Sequence, residues 1–488
     1  MGDRECPRAN PILVLTAGGI LTLLLVWPLA SRYSVVHDEH IYCILSRSGR
    51  TFLENLQLIW ADRQYRVLDL VAGYVCDPNT LDARWTMVLQ VPPLLAILWC
   101  IREVGERLSP RSRSIFPLAI IWFGLHAATA VSLWLPTVGQ TWGAATGLLL
   151  GIATWDAAEH LIRGAHIGRR TWATIVIAGV VGPHIKETYY GWAASVALAA
   201  LVAGIATRRI ARNWGAWTAL LLAILVPALL HGAARFVWGG LAQATHHQGR
   251  YSVHFGTNLG QNIALSIAGQ LAMSPVHYVR LPAPLSLLAY AGIGLSAVLV
   301  GAFICWVKCR RVWALVLATS FLAVSVTWPM QRISELYFMG PNAGAAVAAS
   351  IGAVGLWRLR PRIPRALGRG IVISAFAVGA LGFVSRSRHF RVTWNAGRVL
   401  YAQARNYQAS LPSGGEVRSI GLAPELARGW QHSQYVMPPA NALNPPAVER
   451  LLNQMQPDKP VRILVLPSSE PCCDLALNGA MLPASPAW

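Results

Sequence analysis

Four ionisable residues in a row, His37-Asp38-Glu39-His40, follow the first long apolar run of the chain, Ile12 to Ala30. A positioned carboxylate can take a proton from a hydroxyl, with a second carboxylate or an imidazole orienting it. Two further clusters hold cations. In Gly182-Pro-His-Ile-Lys-Glu-Thr-Tyr-Tyr190, the pair Lys186 and Glu187 stands between a His and two Tyr, and in Trp328-Pro-Met-Gln-Arg-Ile-Ser-Glu-Leu-Tyr-Phe-Met-Gly-Pro341, Arg332, Glu335 and Tyr337 crowd a short turn. Charges at membrane depth are costly unless paired or hydrated, and the donor fork of Arg suits two phosphate oxygens. A fourth cluster, His246-His-Gln-Gly-Arg-Tyr-Ser-Val-His254, contributes Arg250. A base facing several cations can deprotonate an acceptor and stabilise a departing phosphate. Each cluster also has a plain reading: solvated end-of-span charges at Asp38-Glu39, a self-neutralising pair at Lys186-Glu187, and hydrogen-bonding loop histidines at His246-His247.

The elements that must position these residues are membrane helices. Of 488 residues 54% are hydrophobic and 13% charged, and the apolar residues come in blocks of about 17 to 22, enough to span a bilayer. The first block reads as a span and not as a cleaved signal, because it is long and further spans follow. Hydropathy predicts about eleven spans, at 11–30, 85–101, 115–134, 139–156, 171–183, 189–206, 214–231, 283–307, 312–329, 342–357 and 370–384. The fifth is short and Gly-rich, which marks it as a candidate broken helix.

The net charge of +20 does not point to nucleic acid, because the basic residues fall at every second junction between spans. Arg102, Arg107, Arg111 and Arg113 follow span two; Arg163, Arg169 and Arg170 follow span four; Arg208, Arg209 and Arg212 follow span six. Lys308, Arg310 and Arg311 follow span eight, and Arg358, Arg360, Arg362, Arg365 and Arg369 follow span ten. The positive-inside rule puts these junctions and the N-terminus in the cytoplasm. The long segments 31–84 and 232–282 and the tail 385–488 then share the exoplasmic face, periplasmic in a Gram-negative host. The expected protein is an all-α polytopic protein of the plasma (inner) membrane: a transmembrane module, 1–384, and a small exoplasmic α/β domain, 385–488.

Local patterns refine the outer segments. Thr51 to Trp60 has apolar residues at 52, 53, 56, 59 and 60, the spacing of an amphipathic helix lying in the interface. Asp62, Arg63, Tyr65, Arg66 and Asp69 form a second polar group before span two. Cys43 and Cys76 are placed where a disulfide can form, though spacing alone does not establish it. Adjacent Cys472 and Cys473 lie in the tail, where Val392 to Leu411 reads as helix and Val461 to Leu466 as a strand. Ionisable residues inside the apolar runs are few: His126 in span three, and Asp156, Glu159 and His160 at the inner end of span four, where they read as helix-end groups. That scarcity, with no internal repeat, counts against a secondary transporter.

With its acidic pair soon after span one, long outer loops after spans one and seven, and outer tail, the chain resembles the GT-C superfamily of membrane glycosyltransferases. That superfamily includes protein O-mannosyltransferases and the aminoarabinose transferases that modify lipid A. The Lys186-Glu187 pair is similar to one found in bacterial members. The resemblance implies transfer of a sugar from a polyprenyl-phosphate donor to a hydroxyl on a lipid, glycan or protein, with inversion at the anomeric carbon. Asp38 would be the base, with Glu39 positioning it and His37 or His40 orienting the acid. Lys186, Arg250 and Arg332 are the phosphate candidates, and Glu187, Glu335 and Tyr337 would line the same cavity. No cofactor is required by this chemistry; a divalent ion, where one is used, would sit on Asp38 and Glu39 and be of the magnesium or manganese type. The alternative is a transporter or flippase of lipid-linked saccharides, which needs the cavity without the base.

Overall fold

The structure, a computed structural model, describes residues 43, 46, 49–61, 67–77, 79, 85–109, 114–134, 138–186, 188–237, 255–271, 283–306, 319–329, 335–359, 361–422, 445–465 and 474–477. In chain order its helices are α1 (Phe52–Ala61), α2 (Val67–Tyr74), α3 (Thr86–Leu108), α4 (Ile115–Leu125), α5 (Ala127–Trp134), α6 (Val138–Arg163) and α7 (Arg169–Ile185). They continue as α8 (Tyr189–Ala206), α9 (Trp214–Val237), α10 (Thr257–Leu271), α11 (Ala283–Trp306), α12 (Met339–Trp357), α13 (Arg362–Ser410) and α14 (Pro445–Met455). Strands β1 (Arg418–Leu422), β2 (Val461–Val465) and β3 (Leu475–Leu477) complete the chain.

The protein is an integral membrane protein. Among the described residues five helices are long and apolar enough to cross a bilayer: α3, α8, most of α9, α12 and the first half of α13. The expected eleven spans are therefore matched only in part. Helix α6 fills the place of the fourth span yet is not among the five, because its sequence is Gly, Ala and Thr as much as Leu and Ile. The reason is its position, for it packs against α3, α7, α8 and α12 and is buried along nearly its whole length. A helix that never meets lipid needs small residues for close approach more than it needs bulk. Burial separates the roles of the others: 89% of the apolar window of α12 is covered by protein, against 22% for α9 and 28% for α13, which present Leu and Val to the lipid.

Three spans differ from expectation. The third is broken: α4 ends at His126, whose extended backbone (ψ 134°) starts a new helix, α5. Its Nδ1 accepts the Ala128 N–H at 3.1 Å, replacing a bond the break removes. Asn342 of α12 bridges the break, donating to Thr129 Oγ1 at 2.9 Å, so the irregular backbone is buried in protein as the bilayer requires. The fifth span, expected to be the broken one, runs uninterrupted through Gly179 and Gly182, and its Pro183 sits in the last turn of α7. The described part of the ninth is a 3₁₀ turn, Leu322–Thr327. At the opposite end of the bundle Arg107 pairs with Asp156 at 2.7 Å and Arg163 with Glu159 at 2.9 Å, so both acids near the end of α6 sit in ion pairs.

Helix α13 is 49 residues long and runs from its span into the tail without a break at position 384. Its last turns and α14 cover a three-stranded parallel sheet of order β2-β1-β3, in which Ile420 pairs with Ile463 and Leu475. Gln408 ties the layers together, donating to the Leu452 and Lys459 carbonyls at 3.1 and 2.9 Å. The strand read at 461–466 and the helix read at 392–411 are both present.

Candidate functional site

Elements far apart in sequence meet at the end of the bundle that the charge pattern assigns outside. In the first outer segment α1 opens with a reciprocal cap: the Thr51 N–H donates to Glu54 Oε2 at 2.7 Å and the Glu54 N–H to Thr51 Oγ1 at 3.3 Å, the pattern that fixes a helix start. These bonds, from the Thr51 backbone first and its hydroxyl second, hold the Glu54 carboxyl below its ordinary range. Phe52 and Leu53 stand exposed beside it, as an interfacial helix would have them. Cys43 and Cys76 form a disulfide, with Cα atoms 5.7 Å apart. Ser46 closes the same loop by donating to the Gly73 carbonyl at 3.0 Å.

Within α2 Asp69 is buried to 1% exposure and accepts the backbone N–H of Gly139 at 2.8 Å. Gly139 is in the first turn of α6, where N–H groups have no partner in their own helix. From there Gly139, Gly143 and Gly147 repeat one turn apart, and each admits a neighbour that a side chain would displace. A Cβ on Gly139 would lie 3.1 Å from the Asp69 carboxylate and 3.2 Å from the Ile185 carbonyl. One on Gly143 would lie 3.1 Å from Lys186 Cβ, and one on Gly147 would strike the Trp192 ring.

Lys186 is thus seated against α6 at 6% exposure, in extended backbone just past α7. On another side of α6, Ala144 meets Gly340, which directly follows the 3₁₀ turn Glu335–Phe338. Lys186 and the turn carrying Glu335 and Tyr337 therefore flank one helix, about 10 Å across with its side chains. Tyr337 is half-buried and packs on the cluster of Ala128, Val324 and Phe338. The second outer loop joins them: Asn262 of α10 donates to the Trp328 carbonyl at 2.8 Å, and the Trp328 indole N–H to Ser266 at 3.0 Å. The tail arrives too, with Arg405 donating to the Asn79 carbonyl at 3.1 Å.

His37, Asp38, Glu39, His40, Glu187, Arg250 and Arg332 lie outside the described residues. Among the described residues no group of three or more His, Cys, Asp or Glu could hold a metal ion. An apolar crevice lined by Cys100, Leu148, Ile152, Thr319 and Gly344 contains none of the expected site residues.

Two features were not singled out from sequence. Asp69 was grouped with its polar neighbours, although its signal was a lone carboxylate in the apolar run Val67-Leu-Asp-Leu-Val71. The other is a cluster at the outer ends of α7, α8 and α9: the Tyr190 hydroxyl is 2.6 Å from His231 Nδ1, and the His184 and His231 rings meet edge to face at 4.5 Å. Residues 184 and 190 flank the Lys-Glu pair, but nothing in the pattern pointed to His231.

The fold defines a polytopic helical membrane protein in which the segments carrying Lys186 and Tyr337 flank one helix. The chain is similar to the crystal structure of ArnT from Cupriavidus metallidurans bound to undecaprenyl phosphate, with a TM-score of 0.48 and 13% identity over 93% of this chain and 89% of that one. It is similar to the apo structure of the same protein at TM-score 0.48 and 12% identity, over the same shares. No protein-family model and no curated protein sequence matches the chain.

Proposed function

We propose that the protein is a glycosyltransferase that moves a sugar from a polyprenyl-phosphate donor to an acceptor hydroxyl at the outer face of the membrane, with inversion. The observation that carries this reading is the seat of Lys186, a cation buried against α6 where α7 gives way to α8. In the donor the phosphate is already on the anomeric carbon, so the reaction needs a base for the acceptor and a cradle for the anion that departs. Asp38 takes the hydroxyl proton and Glu39 positions it, with His37 or His40 orienting the pair. Lys186, with Arg250 and Arg332, meets the charge that develops on the phosphate, where preorganised cations contribute most. Glu187, Glu335 and Tyr337 line the cavity for sugar and acceptor. The tail, whose Arg405 touches Asn79 of the first outer segment, sits where an acceptor would approach.

The break at His126 favours a second reading, a transporter or flippase of lipid-linked saccharides, since broken helices are common in transporters. Asp38→Asn separates the two. Purified protein in a bilayer is given a panel of polyprenyl-phosphate sugars; the variant is expected to lose turnover by about 10²- to 10⁴-fold, the usual contribution of a general base, while still binding donor. Unchanged sugar transfer would remove Asp38 from the mechanism. Flux of donor across the bilayer with no transfer by the native chain would select the transporter.

A further inference from the structure

We infer that Asp69 is a positioning residue for the donor phosphate site, acting through the first turn of α6 on Lys186; this rests on the glycosyltransferase reading above. The carboxylate does not sit at the surface as the other polar residues of its segment were expected to. It is buried in α2 and bonded to the Gly139 N–H at 2.8 Å. An acid at this place satisfies a donor that the helix itself leaves unpaired and puts negative charge at the positive end of the helix dipole. Asp69 and the Ile185 carbonyl both stand within 3.2 Å of the point where a Gly139 Cβ would be. Ile185 is the residue before Lys186, and one turn farther along α6 the Lys186 stem rests on Gly143.

Three parts of the chain are thereby fixed to one another: the first outer segment, the start of α6 and the α7–α8 junction that carries the cation. The Cys43–Cys76 bond closes the first of these. Nothing in this requires Asp69 to touch substrate. Its effect is on where Lys186 stands, and a misplacement of about 1 Å in a catalytic group costs up to about 100-fold.

The test uses the full chain in lipid nanodiscs with Asp69→Ala and Asp69→Asn. The Asn amide oxygen can still accept the Gly139 N–H, so Asp69→Asn should stay within about threefold of native. Asp69→Ala should lower kcat for the polyprenyl-phosphate sugar by about tenfold or more, raise its KM and weaken binding of free polyprenyl phosphate. It should also speed amine labelling of Lys186 and amide exchange at the start of α6. If Asp69→Ala lowers thermal stability but leaves kcat, donor KM and Lys186 labelling as in the native chain, Asp69 is only a structural cap and the inference falls. The labelling readout needs no turnover: a native chain that neither transfers sugar nor binds polyprenyl phosphate would sink the glycosyltransferase reading, and altered labelling would still establish the coupling of Asp69 to Lys186.

Discussion

Cys43 is bonded to Cys76 across 33 positions, and the closed loop includes helix α1 and the buried Asp69. A cross-link over a loop of that length removes about 4 kcal/mol of chain entropy from the unfolded state. Replacing both cysteines with Ser is expected to free the segment without unfolding the membrane bundle, since helices α3 to α13 pack mainly on one another. Limited proteolysis should then cut between residues 43 and 76 while the rest of the chain stays protected. Sugar transfer should fall with it, because Asp38 is five residues from the bond. Native resistance to protease in the double variant would show that the bridge constrains little.

Glu54 gives a pH dependence whose sign can be worked out. Its folded-state pKa is lowered from 4.5 by the Thr51 N–H and hydroxyl. A depressed carboxylate stabilises the fold above its unfolded pKa, and that contribution is lost as pH falls through the lower folded value. The start of α1 should therefore keep a constant amide protection, its exchange rate relative to an unstructured chain at the same pH, from neutral pH down to about pH 5, and lose protection below the ordinary carboxylate range. Thr51→Ala should move that transition back up toward pH 4.5, though not all the way, because the backbone bond survives. A transition that stays put in Thr51→Ala would show that the hydroxyl plays no part.

How far the sequence could be read depended on whether a residue answers to its own neighbours or to distant ones. Helix α8 matches its predicted span, and the strand at 461 and the helix at 52 were legible, because hydropathy, alternation and caps are local. The break at His126 was not legible: it is stabilised by Asn342, more than two hundred positions away. The Gly-rich span was expected to break instead, but its Gly179 and Gly182 serve close approach to Ala223 and Tyr189. For the site, charge topology put Lys186 and Tyr337 on one face, and in the fold the segments that carry them flank α6. Asp69 was not singled out because its importance lies in a bond to residue 139, which no local spacing records.

Asn342 offers a test of that long-range bond. Its amide donates to Thr129 Oγ1, it is fully buried, and it lies at the break between α4 and α5. Inter-helix hydrogen bonds of this kind in a bilayer are worth about 0.6 to 1.7 kcal/mol. Asn342→Ala should lower stability by that order in detergent unfolding. Thr129→Val should cost a similar amount, and the two together less than their sum. Strict additivity would mean that the break is held by His126 alone.

The glycine ladder on α6 makes the sharpest prediction about packing. A methyl at Gly147 meets the Trp192 ring, which is 2% exposed, and Gly340 packs on the same ring, where a Cβ would stand 2.5 Å from it. Gly147→Ala should therefore destabilise the bundle by about 1 to 3 kcal/mol, the usual cost of overpacking. A methyl at Gly143 instead stands 3.1 Å from Lys186 Cβ, an atom fixed to the backbone, so the junction after α7 must give by a few tenths of an ångström. Gly143→Ala should cost less stability than Gly147→Ala and shift donor KM. Trp192→Leu in the Gly147→Ala background should restore stability relative to the sum of the single variants, because the new methyl fills space that the ring gives up. Unfolding measurements on the four chains of that cycle decide it: if Gly147→Ala costs the same with and without the Trp192 ring, the close contact between α6 and α8 does not hold the bundle together.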